Sequence, residues 1–185
     1  PHPDRDVTLQ SQACPSEPRA TLRAGALDAM ERAGRVEGKR LLVLGAGGAA
    51  RAIAYEAKRR GAEVLITNRN DLRARRLARE FGLTFVPQRQ VHDVSFDILA
   101  NATSVGMMPK VSTSPIPKSL LKNKIVFDAV YNPPMTKLLR DARSVGARIV
   151  QGTEMYLNQA ALQFQMYTGV KPPAAVMRRV LDREW

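Results

Sequence analysis

Leu41-Leu42-Val43-Leu44-Gly45-Ala46-Gly47-Gly48-Ala49-Ala50-Arg51 is an apolar run, a glycine-rich turn and the start of a helix-forming stretch, in that order. A buried strand that feeds a tight turn into a helix N-terminus is what a phosphate-binding βα unit requires. Gly45 permits the turn, Gly47 lets the backbone approach a pyrophosphate, and Ala50 keeps helix and strand close. The free N–H groups and positive dipole end of the helix complete an anion site.

The next apolar run, Glu63-Val64-Leu65-Ile66-Thr67, ends about 20 residues past the first glycine, where a dinucleotide fold reads the adenosine ribose. A site for NAD places Asp or Glu there. This chain has Asn68-Arg69-Asn70, with Arg73 four residues beyond Arg69. A guanidinium pairs with a 2′-phosphate that a carboxylate would repel, so the pattern points to NADP. The alternative is that Arg69 and Arg73 only solvate a loop and a helix start.

From there strands and helices alternate. The pattern predicts strands over Arg40–Leu44, Glu63–Thr67, Thr84–Val86, Phe96–Asn101, Lys124–Val130 and Ala147–Val150. It predicts helices over Leu22–Ala33, Gly48–Arg60, Asp71–Phe81, Met135–Gly146, Gly152–Thr168 and Ala174–Arg183, and a long polar loop from Ser104 to Pro117. The expected fold is α/β, a Rossmann-like, doubly wound parallel sheet of about six strands. Ligands of such sheets bind at the carboxyl ends of the strands. Those ends carry Gly45–Gly48, Asn68–Arg69, Asn101-Ala102-Thr103-Ser104, Tyr131-Asn132-Pro133 and Gln151-Gly152.

Composition narrows the possibilities further. A chain of 185 residues, 44% hydrophobic and only 5% aromatic, suits one α/β domain with a sizeable core, or slightly more than one. The single Cys14 excludes an internal disulfide framework and points to a reducing compartment. His2 and His92 stand far apart without cysteine partners, which argues against a zinc site. No apolar stretch approaches membrane-spanning length, so no membrane partner is expected. The net charge of +12 gathers around Lys58-Arg59-Arg60 and Arg73, Arg75, Arg76 and Arg79. Without interleaved aromatic residues or a recognition motif, this zone is read as a solvated helix face rather than a nucleic-acid surface. Residues 1–20, rich in proline and poor in apolar side chains, are expected to be disordered or extraneous to the domain, which then runs over 21–185.

With these clusters together, the stretch from about Leu41 to Leu181 resembles the C-terminal, NADP-binding domain of the shikimate dehydrogenases. The motifs are Gly45-Ala46-Gly47-Gly48-Ala49, Asn68-Arg69, Asn101-Ala102-Thr103-Ser104-Val105-Gly106-Met107, Asp128-Ala129-Val130-Tyr131-Asn132-Pro133 and Gly152-Thr153-Glu154-Met155. The last two look most like the plant-type bifunctional enzymes, in which a dehydroquinate dehydratase precedes the dehydrogenase. The resemblance implies that Gly45–Ala49 hold the pyrophosphate and that Asn68, Arg69 and Arg73 clamp the 2′-phosphate. It implies further that Asn101, Thr103, Ser104, Ala129 and Gly152 line the cofactor, and that Tyr131 and Gln159 reach the substrate. The family usually has Thr after Asn-Arg; here the residue is Asn70.

The implied reaction interconverts 3-dehydroshikimate and shikimate by hydride transfer, in the shikimate pathway of aromatic amino-acid biosynthesis. In the family a Lys and an Asp of an N-terminal substrate domain supply proton transfer. No Lys precedes Lys39 here, and Pro18-Arg19-Ala20-Thr21-Leu22-Arg23 stands where the domain's motif would end. The expectation is therefore that the substrate domain is missing, that no catalytic residue lies in this chain, and that the chain alone is inactive and exposes apolar surface that favours self-association. A quinate/shikimate dehydrogenase domain or a non-catalytic dinucleotide-binding module are the alternatives, and plastid or cytoplasm the implied compartments.

Overall fold

The structure, a computed structural model, describes residues 18–184, with side chains from 24 to 183. The expectation of disorder over residues 1–17 lies outside the described residues. Residues 18–20, by contrast, are helical: helix α1 runs Pro18–Ala33. Proline is favoured at a first helical position, where its missing N–H costs nothing.

Six parallel strands, β1 (Arg40–Leu44), β2 (Glu63–Thr67), β3 (Thr84–Phe85), β4 (Ile98–Asn101), β5 (Ile125–Asp128) and β6 (Arg148–Val150), form one sheet in the order β3-β2-β1-β4-β5-β6. The chain winds outward from β1 to β3, then returns to lay β4 beside β1. That reversal opens a crevice at the carboxyl ends of β1 and β4. The remaining helices are α2 (Gly48–Arg59), α3 (Asp71–Phe81), α4 (Lys137–Ser144), α5 (Gly152–Thr168) and α6 (Ala174–Glu184). None of the described helices is long and apolar enough to cross a membrane.

The strands are apolar without alternation because both faces of the sheet are covered. Leu41, Val43, Ile66, Ile98 and Phe127 pack with Leu27 and Met30 of α1 and Ile53 of α2. Leu42, Leu44, Leu65, Leu99 and Val126 pack on the other face with Leu138 and Leu139 of α4. On that second face two 3₁₀ turns, Gln88–Asp93 and Lys118–Leu121, stand where longer helices would be, and bury Val91 and Leu121. Neither turn was anticipated from the sequence.

Several expected boundaries shorten for identifiable reasons. β5 stops at Asp128 rather than Val130 because the Asp128 carboxylate takes the Val130 N–H at 3.1 Å and turns the chain out of the sheet. α4 starts at Lys137 rather than Met135 because Thr136 is its N-cap, its hydroxyl accepting from Leu139 N at 3.3 Å. Its end at Ser144 precedes Gly146, whose φ of +78° breaks the helix. β3, β4 and β6 are each one or two residues shorter than expected.

α1 is fixed from two sides. Arg60 at the end of α2 bonds Glu56 at 2.8 Å and reaches Asp28 and Glu31 of α1, each at 2.7 Å. Gly25 lets α5 approach closely: a Cβ there would stand 3.0 Å from Met155 O, and Asn158 Nδ2 donates to Gly25 O at 2.9 Å.

Candidate dinucleotide site

The glycine turn at the end of β1 contains two kinds of glycine. Gly45 has φ +113°, and a Cβ on it would lie 2.9 Å from Ala102 O. Its N–H donates to Thr67 O at 2.8 Å, so the turn is pinned between β2 and β4. Gly47 differs: its φ of −87° and ψ of −168° are open to any residue, and a Cβ there meets nothing within 4 Å. Gly48 is equally unobstructed. The packing of this chain needs neither glycine, and both face solvent at the head of α2, where no side chain caps the helix. An N-terminus with free N–H groups and room for close approach suits a phosphate group. Ala46 and Ala49 flank the turn, half-buried.

At the end of β2 the backbone is held by asparagines. Asn70 is the N-cap of α3, accepting from Arg73 N at 3.2 Å, and Asn68 Nδ2 donates to Asn70 O at 3.1 Å. Arg69 borders a cavity of about 320 Å³ with Gly45, Thr67, Asn68, Thr103 and Ser104. Arg73 borders a different hollow, with Ala46, Arg51 and Arg76. Among the surrounding cations, Arg51 is engaged with Glu80, Arg59 and Arg60 with Glu56, and Arg75 lies over the Phe85 ring at 4.2 Å. No acid among the described residues pairs with Arg69 or Arg73. The Thr67 hydroxyl is the one buried side-chain polar atom among those residues without a hydrogen-bond partner, and Thr67 borders the same cavity.

The carboxyl ends of β4 and β5 are joined by a buried polar network. Asn101 is wholly buried. Its Nδ2 donates to Asp128 Oδ1 at 2.9 Å and Val105 O at 3.3 Å; its Oδ1 accepts from Thr103 N at 3.1 Å and Thr103 Oγ1 at 2.7 Å. Asn101 therefore acts on the crevice through Thr103 and Val105, with no face of its own on the cavity. Asp128 is equally buried, and burial pushes its carboxyl up to about 6 against the opposing hydrogen bonds from Thr136, Val130 and Asn101. In the sequence it is an acid that ends the apolar run Ile125-Val126-Phe127 and opens the motif running to Pro133, with no role assigned to it.

Farther along the sheet, Gly152 opens α5 against the β5 turn. A Cβ on it would lie 2.8, 2.8 and 2.7 Å from the carbonyl oxygens of Asp128, Ala129 and Val130. Ala129 still pairs with β4, its N–H donating to Asn101 O at 2.9 Å. Tyr131 is exposed, stacks at 5.8 Å on Tyr156, and borders a second cavity of about 610 Å³ with Thr153, Val176 and Val180. Gln159 is half-buried on α5 and borders neither cavity. The first cavity is also lined by Gln88, Val91 and His92 and by Pro115 to Pro117. Sequence reasoning passed these over, since they belong to irregular segments without a motif.

The family model described as Shikimate / quinate 5-dehydrogenase matches residues 28–132, and that of the Shikimate 5′-dehydrogenase C-terminal domain matches residues 152–181. The chloroplastic bifunctional 3-dehydroquinate dehydratase/shikimate dehydrogenase of Arabidopsis thaliana is 43% identical over 149 residues, covering 78% of this chain and 25% of that protein. The NADP(+) shikimate dehydrogenase of Pyrococcus abyssi is 42% identical over 159 residues, covering 84% of this chain and 59% of that one. The crystal structure of shikimate 5-dehydrogenase from Thermus thermophilus with NADP(H) and shikimate matches with a TM-score of 0.81 and 38% identity, over 90% of this chain and 63% of the other. The chain thus spans from a quarter to about three-fifths of the length of these relatives. On the glycine turn, the sheet order and the extent of these matches, the chain belongs to the shikimate/quinate 5-dehydrogenase family.

Proposed function

We propose that this chain supplies the dinucleotide-binding half of a shikimate dehydrogenase and that its dinucleotide is NADP. The observation that carries this is Arg69: a cation without an acidic partner among the described residues, at the β2 end where an NAD site needs a carboxylate. The unfilled space over Gly47 and Gly48 at the uncapped head of α2 fits a pyrophosphate. Gly45 to Ala49 and the α2 N-terminus hold the pyrophosphate; Asn68, Arg69 and Arg73 hold the 2′-phosphate. Thr103 and Ser104 line the middle of the cofactor, and Ala129 and Gly152 the nicotinamide end. The bound dinucleotide supplies the hydride. Tyr131 and Gln159 face 3-dehydroshikimate or shikimate, and a substrate domain supplies the Lys and Asp for proton transfer.

Hydride transfer requires the reacting atoms within about 3.5 Å. One wall of a cleft does not hold them so, and the chain alone is expected to bind NADP without oxidising shikimate. The apolar surface of Tyr156, Val176 and Val180 then favours self-association. The chloroplastic plant relative suggests a plastid, with the cytoplasm as the other compartment.

Calorimetric titration with NADP⁺ and NAD⁺ tests the assignment. NADP⁺ should be preferred tenfold or more, a difference of about 1.4 kcal/mol. Arg69→Ala should abolish that preference while leaving NAD⁺ affinity unchanged. Equal affinity for both dinucleotides in the wild-type chain would refute the clamp.

A further inference from the structure

Asp128 is buried at the crevice, and the cofactor and substrate contacts leave it without a task. Its carboxylate takes three donors: Asn101 Nδ2 at 2.9 Å and Val130 N at 3.1 Å on Oδ1, and Thr136 Oγ1 at 2.6 Å on Oδ2. A carboxylate offers only acceptors, whereas the Asn101 amide has an oxygen at one end and an NH₂ at the other. Asp128 therefore admits one orientation of that amide, with the NH₂ turned to Asp128 and Val105 O and the oxygen turned to Thr103. Thr103 Oγ1 then gives its single proton to Asn101 Oδ1 at 2.7 Å and accepts from Val105 N at 3.2 Å. A reversed amide would set NH₂ against the Thr103 N–H and oxygen against the carboxylate and the Val105 carbonyl.

We infer that Asp128 is a positioning residue: its carboxylate anchors the Asn101 amide in the orientation that the Thr103 N–H and the Val105 carbonyl also require, and thereby holds the Thr103–Val105 turn in the shape that lines the dinucleotide cavity. The cofactor part of this inference rests on the crevice binding a dinucleotide, as proposed above. Thr136, which also bonds Asp128, lies under the same turn, 3.6 Å from where a Cβ on Gly106 would stand. The groups that face Asp128 are Asn101 on β4, the Val130 amide after β5 and Thr136 at the head of α4. None is ionisable, so protonation of Asp128 is governed by its burial. Once protonated, the carboxyl offers a donor as well as acceptors, and Asp128 no longer anchors the amide, whose orientation is then left to the Thr103 N–H and the Val105 carbonyl alone.

Two measurements test this on the full chain. In ¹⁵N-resolved NMR of the cofactor-free chain, the Thr103 and Val105 amides should shift together with a midpoint near pH 6 and stay flat in Asp128→Asn. By calorimetry at pH 7.5, Asp128→Asn and Thr103→Val should each weaken NADP⁺ binding about tenfold, and the double variant should be no weaker than either. The 2′-phosphate itself titrates near pH 6, so pH dependence of binding is compared between wild type and Asp128→Asn. Wild-type affinity in Thr103→Val would overturn the inference even if Asp128→Asn did not fold. So would Thr103 and Val105 amides that titrate in Asp128→Asn as they do in wild type. Amides that follow Asp128 in a chain that binds neither dinucleotide would leave the positioning role standing and refute the dinucleotide assignment instead.

Discussion

Gly47→Ala separates what the fold needs from what a ligand needs. The backbone at Gly47, φ −87° and ψ −168°, accepts alanine without strain, and the added methyl meets no atom of the protein within 4 Å. Alanine is a poorer N-cap than glycine, a loss of about 0.5 kcal/mol. Restricting the unfolded chain returns about 0.4–1 kcal/mol. The two nearly cancel, so the melting temperature should move by less than about 2 °C. A pyrophosphate seated against the turn occupies the space the methyl takes. Forcing an extra carbon into a filled contact costs about 1–3 kcal/mol, which is roughly fivefold to more than a hundredfold in affinity. The assay is differential scanning calorimetry beside isothermal titration with NADP⁺. A variant that melts like wild type and binds NADP⁺ like wild type would refute the placement of the pyrophosphate. So would one that loses several degrees, because the protein would then be using Gly47 itself.

Gly152→Ala should show the opposite profile. Its methyl would meet three backbone carbonyls at 2.7–2.8 Å, so α5 has to retreat; at about 1–3 kcal/mol for overpacking, a melting point lower by roughly 3–10 °C is expected. Arg60→Ala should cost about 2 kcal/mol in urea unfolding, less than a fully buried pair because Asp28 and Glu31 are partly exposed. For Glu56, burial opposes ionisation, but the Arg59 and Arg60 hydrogen bonds outweigh it and hold the carboxyl below its usual value of 4.5. Its stabilisation is therefore present above pH 4.5 and disappears as pH falls through its lower folded-state value. Asp128 has the reverse sign. Its carboxyl is raised from 3.8 to about 6, so the folded state holds the proton more tightly, and stability drops as pH rises from 4 to 6. The drop is on the order of 3 kcal/mol, and urea unfolding of Asp128→Asn at pH 4 and pH 7 should lack it.

The strand bodies, the glycine turn and the β2-end arginine were all legible in the sequence. Each is a local pattern: apolar runs such as Leu41–Leu44 and Ile125–Phe127 read as strands buried on both faces, and Gly45 stands where the chain must turn with positive φ. Asn70 as the α3 cap follows from the same short-range chemistry. What tertiary structure decided was the use of side chains between segments distant in sequence. Asp128 ends a strand that reads as ordinary, and it becomes a buried carboxylate only because β4 lies beside β5 and brings Asn101, 27 positions away, to 2.9 Å. Gly47 and Gly152 look alike in the sequence. One faces open space and the other three carbonyls, a distinction made by where α5 packs. Likewise Arg69 and Arg51 are both arginines near the glycine turn, but Glu80 pairs with Arg51 and not with Arg69, which borders the crevice. Periodicity and turn chemistry report interactions within a few residues along the chain. Burial and charge pairing across the sheet depend on which elements become neighbours, and that is settled only when the sheet order brings them together.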